Sequence, residues 1–292
     1  MKVNQNNFIK LSYNLAKINL GKTKLNPSVG CVVVKDNSVL SSGVTSLNGR
    51  PHAEYNALKS NQNLKGSDLY VSMEPCTHYG ITPPCINIIE KKKIKRVFFS
   101  SYDVDDRTAR KSLPKLKSKN IKVFKIYCKD HINFYQSYNQ IKKRLIPLVD
   151  AKIAISKDYY TIHKKSYWIT NPLSRRRAHL IRSEYEAIIS TSKSINKDNS
   201  RLNCRIKGFN QQKPDLIIVD LKMRLKKNLK IFKDNNSRKI FIITKNRKYK
   251  KDPFFKKKNI KIIYTDSFTT KKDFVSLLKK FRKYGHQRIL LE

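Results

Sequence analysis

Apolar residues recur along this chain in two alternating rhythms. Phe8, Leu11, Leu15 and Ile18 fall at helical spacing and Gly21 follows where a C-terminal glycine belongs, which predicts an amphipathic helix over residues 5–20. Residues 31–34 form a β-branched run, Asp36-Asn37 a turn, and Val39-Leu40 a second apolar pair, which together read as a hairpin. Short apolar runs at 69–72, 96–100 and 121–126 then alternate with helical patterns at 52–59, 85–92 and 110–119. A longer pattern over 131–145 carries Phe134, Tyr138, Ile141 and Leu145 on one face, and Pro147 ends it. Beyond it, strands are predicted at 151–155, 187–191, 216–219, 240–243 and 260–264, with helices at 172–182 and 271–283. Strands alternating with helices predict layered α/β domains, the second built on a largely parallel sheet. The domains are expected over 1–146 and 147–292, with no internal repeat and no low-complexity linker.

The 292 residues suffice for two domains, and 39% hydrophobic with 10% aromatic residues supports real cores. Five cysteines, Cys31, Cys76, Cys85, Cys128 and Cys204, do not form a disulfide framework and suit a reducing compartment. Residues 1–10 are polar and lack the apolar core of a signal peptide, and no apolar run approaches the ~20 residues that span a bilayer. A cytoplasmic protein without a membrane partner is expected. The formal net charge is +43, yet residues 1–90 hold only 9 Lys+Arg against 5 Asp+Glu. Such a field would attract polyanions or a phosphorylated small substrate, and it is equally what a general lysine-rich composition produces.

The candidate chemistry is concentrated between His52 and Cys85. His52-Ala53-Glu54 is followed by Glu74-Pro75-Cys76 and by Pro83-Pro84-Cys85. One imidazole and two thiols supply three ligands to tetrahedral Zn²⁺ and leave a fourth position for water. Glu54, two residues after His52, is close enough to shuttle a proton without binding the metal, the arrangement of zinc nucleobase deaminases. Both His52 and Cys85 are expected to open helices, and Cys76 to end a strand.

Asn26-Pro27-x-Val29-Gly30, His52-Ala53-Glu54 and Glu74-Pro75-Cys76-Thr77-His78-Tyr79-Gly80-x-Thr82-Pro83-Pro84-Cys85 resemble the bifunctional riboflavin-biosynthesis deaminase/reductase family. Eight residues separate the two cysteines, where tRNA and cytidine deaminases usually have two. The resemblance implies a cytidine-deaminase-like three-layer α/β/α domain followed by a dihydrofolate-reductase-like α/β domain. It implies zinc-dependent hydrolytic deamination of 2,5-diamino-6-ribosylamino-4(3H)-pyrimidinone 5′-phosphate, then NADPH-dependent reduction of the ribosyl chain. The implied zinc ligands are His52, Cys76 and Cys85, with Glu54 as the catalytic acid–base. Asn26 and His78 would meet the pyrimidine, although Asn26 also reads as the turn residue before Pro27 and His78 as a loop histidine.

In the second domain the resemblance places Ser166, Arg182, Leu202, Arg205 and Glu292 on the substrate and Trp168, Ser194 and Asp198 on NADPH. Trp168 also reads as a core aromatic and Arg182 as a surface cation. The family continues past the position of Glu292 with a glycine-rich phosphate-cradling turn and further strands, so a reductase domain incomplete at its C-terminus is expected. Ser156-Lys157-Asp158-Tyr159-Tyr160 replaces a usual Ser-Leu-Asp-Gly pattern. The family typically assembles from several subunits, so a homo-oligomer is the implied state, and nucleic acid is not an expected partner. Two other readings remain open: a zinc deaminase acting on a polynucleotide base, and a non-catalytic binding paralogue. The modest charge of residues 1–90 and the cysteine spacing weigh against the first, and the complete ligand set with Glu54 against the second.

Overall fold

A computed structural model describes residues 2–129, 131–161, 168–208, 213–233, 238–257 and 259–292. The chain divides into two compact units, Met1–Leu145 and Ile146–Glu292.

The first unit contains α1 (Lys2–Ile18), β1 (Gly30–Lys35), β2 (Ser38–Val44), α2 (Ala53–Leu58), β3 (Asp68–Met73), α3 (Cys85–Lys91), β4 (Arg96–Ser101), α4 (Ser112–Lys117), β5 (Lys122–Lys125), α5 (His131–Phe134) and α6 (Gln136–Lys143). Its sheet has the order β2-β1-β3-β4-β5, with β1 antiparallel to both neighbours and β3, β4 and β5 parallel. Two glycines show how the sheet is covered. A Cβ on Gly30 would meet the Ser12 carbonyl of α1, and one on Gly43 would meet the Ala53 carbonyl and Ala57 amide of α2. Gly43 pairs with Cys31, the neighbour of Gly30, so the two glycines face opposite sides of the sheet. Helices α1 and α2 therefore lie on opposite faces, which makes three layers. β3 is buried along its whole length between them.

The second unit contains β6 (Leu148–Ala151), α7 (Pro172–Arg182), β7 (Ala187–Thr191), α8 (Ser192–Asp198), β8 (Asp215–Val219), α9 (Lys230–Lys233), β9 (Ile240–Thr244), β10 (Ile260–Tyr264), α10 (Lys271–Lys283) and β11 (Arg288–Leu291). All pairings in its sheet, β10-β9-β8-β7-β11-β6, are parallel. The strands alternate between two cores. Ile188, Leu216, Ile218, Ile240, Ile242 and Leu290 pack on one face, and Ala187, Ile189, Ile217, Phe241, Ile243 and Ile289 on the other. Near-continuous apolar strands are what a sheet buried on both faces requires.

Several predicted boundaries move for identifiable reasons. The strand expected at 151–155 is instead β6, because its ladder follows β11 from Arg288↔Leu148 to Leu291↔Ala151. The helix expected over 131–145 breaks at Tyr135, whose buried ring sits against Tyr13 and whose hydroxyl shares a 2.7 Å hydrogen bond with Ser72. α4 begins at Ser112 rather than Arg110, since Arg110 has φ +60° and its amide donates outside the helix, to Glu74. His52 caps α2 from one residue ahead rather than lying in its first turn. Among the described residues no helix is long and apolar enough to cross a membrane.

Candidate metal and substrate site

The end of β3 and the starts of α2 and α3 converge in the first unit. His52 stands at the N-cap of α2, Cys76 lies three residues past β3, and Cys85 is the first residue of α3 after the N-cap Pro84. His52 Nδ1 is 3.6 Å from Cys76 Sγ and 3.4 Å from Cys85 Sγ, and all three donor atoms lie within 4.8 Å of one another. The donor set is that of a tetrahedral zinc site with one open position, and its spacing fits one ion at the centre. The Cys85 amide donates to Cys76 Sγ at 3.2 Å, supporting negative charge on that sulfur. Hydrogen bonding from Cys85, with further help from His52, holds the Cys76 thiol well below the usual thiol range. The Cys85 thiol is pushed up by the same hydrogen bond and by burial.

Glu54 follows on the first turn of α2 and is only 4% exposed. Burial, then the neighbouring Cys76, pushes its carboxyl up to about 7. Pocket walls around these groups are supplied by Asn26, Arg50, His78, Asp103, Asp105 and Arg107, among others. Asn26 Nδ2 donates to the Gly49 carbonyl at 3.0 Å, a contact 23 residues along the chain, and the residue lines the pocket. His78 Nδ1 lies 3.0 Å from Thr108 Oγ1 and also lines the pocket.

The motif reading did not anticipate the loop opposite the metal ligands. Glu74 is buried, and its carboxylate accepts from the amides of Asp103, Arg110 and Ser112 and from the Ser112 hydroxyl. One carboxylate two residues before Cys76 thus fixes the segment that carries Asp103, Asp105 and Arg107. Its only trace in the sequence is an acidic residue next to the Pro-Cys, with nothing local to say what it holds.

In the second unit the anticipated residues fall in several places. Arg182 donates Nε and Nη2 to Glu292 at 2.9 and 2.7 Å, and Nη1 to the Asn203 carbonyl at 3.2 Å. Arg205 Nη1 reaches Asn203 Oδ1 at 3.0 Å, so Arg182, Arg205 and Glu292 are brought together around Asn203. Leu202, at φ +47°, is packed in the core and 5% exposed. Ser194 and Asp198 lie on α8, at the carboxyl end of β7, where open parallel sheets bind ligands. Trp168 is exposed rather than a core aromatic, and Arg175 stacks over its ring at 4.6 Å. Ser166 lies outside the described residues.

Comparison with known proteins assigns both units. Residues 2–101 match the cytidine and deoxycytidylate deaminase zinc-binding region, and residues 147–292 match the RibD C-terminal domain. The riboflavin biosynthesis protein RibD of Aquifex aeolicus is 31% identical over 98% of this chain and 80% of its own length. That of Buchnera aphidicola subsp. Baizongia pistaciae is 32% identical over the same shares. The crystal structure of a diaminohydroxyphosphoribosylaminopyrimidine deaminase/5-amino-6-(5-phosphoribosylamino)uracil reductase from Thermotoga maritima superposes with a TM-score of 0.85. It is 27% identical and covers 99% of this chain and 80% of that one. Acinetobacter baumannii RibD gives a TM-score of 0.81 at 28% identity, again over 99% and 80%. A zinc-type deaminase unit followed by this particular second unit is therefore no chance pairing, and the chain belongs to the RibD family of riboflavin biosynthesis proteins.

Proposed function

We propose that the first unit deaminates 2,5-diamino-6-ribosylamino-4(3H)-pyrimidinone 5′-phosphate and that the second reduces the ribosyl chain of the product with NADPH. The observation that carries the reading is the triangle of His52 Nδ1 and the Cys76 and Cys85 sulfurs, with the buried Glu54 in the same pocket. Zinc held by these three side chains supplies the Lewis acidity that brings a water proton into reach of a carboxylate near neutral pH. Glu54 accepts that proton, returns it to the ring nitrogen as the ring carbon is attacked, and assists departure of ammonia. The balance is one water consumed, the bond from the ring carbon to its exocyclic amino nitrogen broken, one ammonia released and one ring carbonyl formed. Asn26 and His78 orient the ring from the pocket wall.

Residues Arg182, Arg205 and Glu292 would face the substrate of the reductase. Ser194 and Asp198 would face NADPH at the carboxyl end of β7, with Trp168 as a third cofactor residue. A small phosphorylated pyrimidine is then the partner of both units, and the setting is the cytoplasm. The test is ammonia release from the diaminopyrimidinone by the full chain, chelated and then reloaded with zinc, followed by NADPH oxidation on the product. Activity restored by zinc is the expected result. A zinc-loaded chain that releases no ammonia overturns the deaminase assignment.

A further inference from the structure

Three successive carbonyls in the loop after α8 are taken by side chains from elsewhere in the second unit. Arg238 donates Nη1 to the Leu202 carbonyl at 2.7 Å and Nη2 to the Arg201 carbonyl. The Asn203 carbonyl accepts Arg182 Nη1 at 3.2 Å and lies 2.9 Å from His179 Nδ1. The loop is therefore gripped by α7 and by a residue two positions before β9. Asn203 Oδ1 in turn accepts Arg205 Nη1 at 3.0 Å. The backbone that Arg238 holds is thus continuous with the residue that both Arg182 and Arg205 meet.

This loop needs holding. Asn199 ends α8 at φ +44° and Leu202 stands at φ +47°, and a leucine in the left-handed region persists only where its surroundings over-determine it. Leu202, Asn203 and Cys204 are all buried, so their polar groups must find partners within the protein. Arg238 is suited to the task because it is itself buried and firmly based. The next residue, Lys239, donates its amide to Asp215 Oδ1 at 2.8 Å and accepts the Leu216 amide at 2.9 Å, which fixes the clamp to the start of β8. A planar guanidinium holds two acceptors at a set spacing through charge-assisted bonds, which the point charge of a lysine does not.

We propose that Arg238 is a positioning residue of the second unit. Its fork fixes the backbone of residues 201–203, and through that backbone the placement of Arg182 and Arg205 against the ribosyl substrate. Arg238 acts through the loop and needs no contact with substrate or cofactor. That the loop meets the substrate rests on the reductase reading above; that Arg238 sets the loop does not.

The experiment compares the zinc-loaded full chain with Arg238→Met and Arg238→Lys, at a temperature where thermal unfolding shows each to be folded. NADPH oxidation on the deaminated pyrimidine gives KM and kcat, and fluorescence titration gives the NADPH affinity. Buried Cys204 reports on the loop directly, through its rate of alkylation by iodoacetamide read by peptide mass mapping, with buried Cys128 of the first unit as reference. In Arg238→Met the KM for the pyrimidine should rise about tenfold while NADPH affinity stays within about twofold. Cys204 should react about tenfold faster, with Cys128 unchanged. Arg238→Lys keeps the charge without the fork and should fall between parent and Met variant; it carries the test alone if the Met variant does not fold. Equal loss of affinity for pyrimidine and NADPH, or an unchanged KM, overturns the positioning role. Cys204 reacting at the parent rate overturns the clamp. If the parent chain oxidises no NADPH on the pyrimidine, the reductase reading falls, and Cys204 alkylation alone still decides whether Arg238 holds the loop.

Discussion

Arg182 and Glu292 meet through two parallel hydrogen bonds, Nε to Oε1 at 2.9 Å and Nη2 to Oε2 at 2.7 Å, with their side chains 13% and 8% exposed. The same guanidinium reaches the Asn203 carbonyl, so one side chain ties the end of α7 to the residue after β11 and to the loop carrying Arg205. Removing one member of a buried pair leaves the other charge without compensation. Arg182→Met should lower stability by about 3 kcal/mol, and Arg182→Lys should recover little because an ammonium cannot make the parallel pair. Urea denaturation of these two variants, of Glu292→Met and of Arg182→Met/Glu292→Met checks this. The double variant should lose less than the sum of the single ones.

Glu74 has the corresponding role in the first unit. Its carboxylate accepts three amides and one hydroxyl from residues 103–112. Gln at this position keeps the shape but turns an NH₂ toward donors. Glu74→Gln should cost about 2 kcal/mol and reduce kcat/KM for deamination, since the loop it holds carries Asp103, Asp105 and Arg107. Denaturation midpoints together with steady-state kinetics test it. A variant with native stability would mean that the loop holds itself.

These two residues also show where reading the sequence stops. His52, Glu54, Cys76 and Cys85 were legible because ligand chemistry demands rare residue types in a fixed order, whatever the fold does between them. Helices α7 and α10 were legible to the residue. Asn171 caps a Pro-initiated helix, Thr270 and Asp273 form a reciprocal capping box, and both signals are local. The loop role of Glu74 spans up to 38 residues and leaves no pattern of its own. β11 was missed, and β6 misplaced, because the extent of each is set by the ladder they share, Arg288↔Leu148 to Leu291↔Ala151, and not by a periodicity of its own.

Tyr159 marks a departure that was legible and has a measurable consequence. It stands where the resembled family usually has glycine, and it adopts φ +66° in a turn closed by Ser156 N to the Tyr160 carbonyl at 2.8 Å. An aromatic residue in the left-handed region is strained by its Cβ, whereas glycine is not, although glycine loses more chain entropy on folding. Tyr159→Gly should raise stability by roughly 0.5–1 kcal/mol net. Thermal unfolding decides; a lowered midpoint would show that the ring makes compensating contacts.

Glu54 separates metal binding from chemistry. It sits in the pocket beside the three ligand atoms without belonging to the set. Glu54→Gln should therefore bind zinc as the parent does and deaminate about 10²–10⁴-fold more slowly. Metal content by elemental analysis and ammonia release on the same sample measure both. Full activity in this variant would remove the carboxylate from the mechanism while leaving the zinc site intact.

The last prediction concerns pH and the second unit. Glu186 lies in the turn before β7, and its carboxylate accepts the Arg288 amide at 2.8 Å. Burial pushes its carboxyl from an ordinary value of 4.5 up to about 7. A raised carboxyl binds its proton in the folded state at pH values where the unfolded chain has released it. Between about pH 4.5 and pH 7 the folded protein holds more protons, and stability falls as pH rises through that window. Once the folded-state value is passed the cost levels off, at up to about 3 kcal/mol. Glu186→Gln keeps an acceptor for the Arg288 amide and removes the titration. Its advantage over the parent should be below about 1 kcal/mol at pH 5 and approach about 3 kcal/mol by pH 8. Parallel stability–pH curves for parent and variant would show that the Glu186 carboxylate is solvated well enough to ionise at no cost.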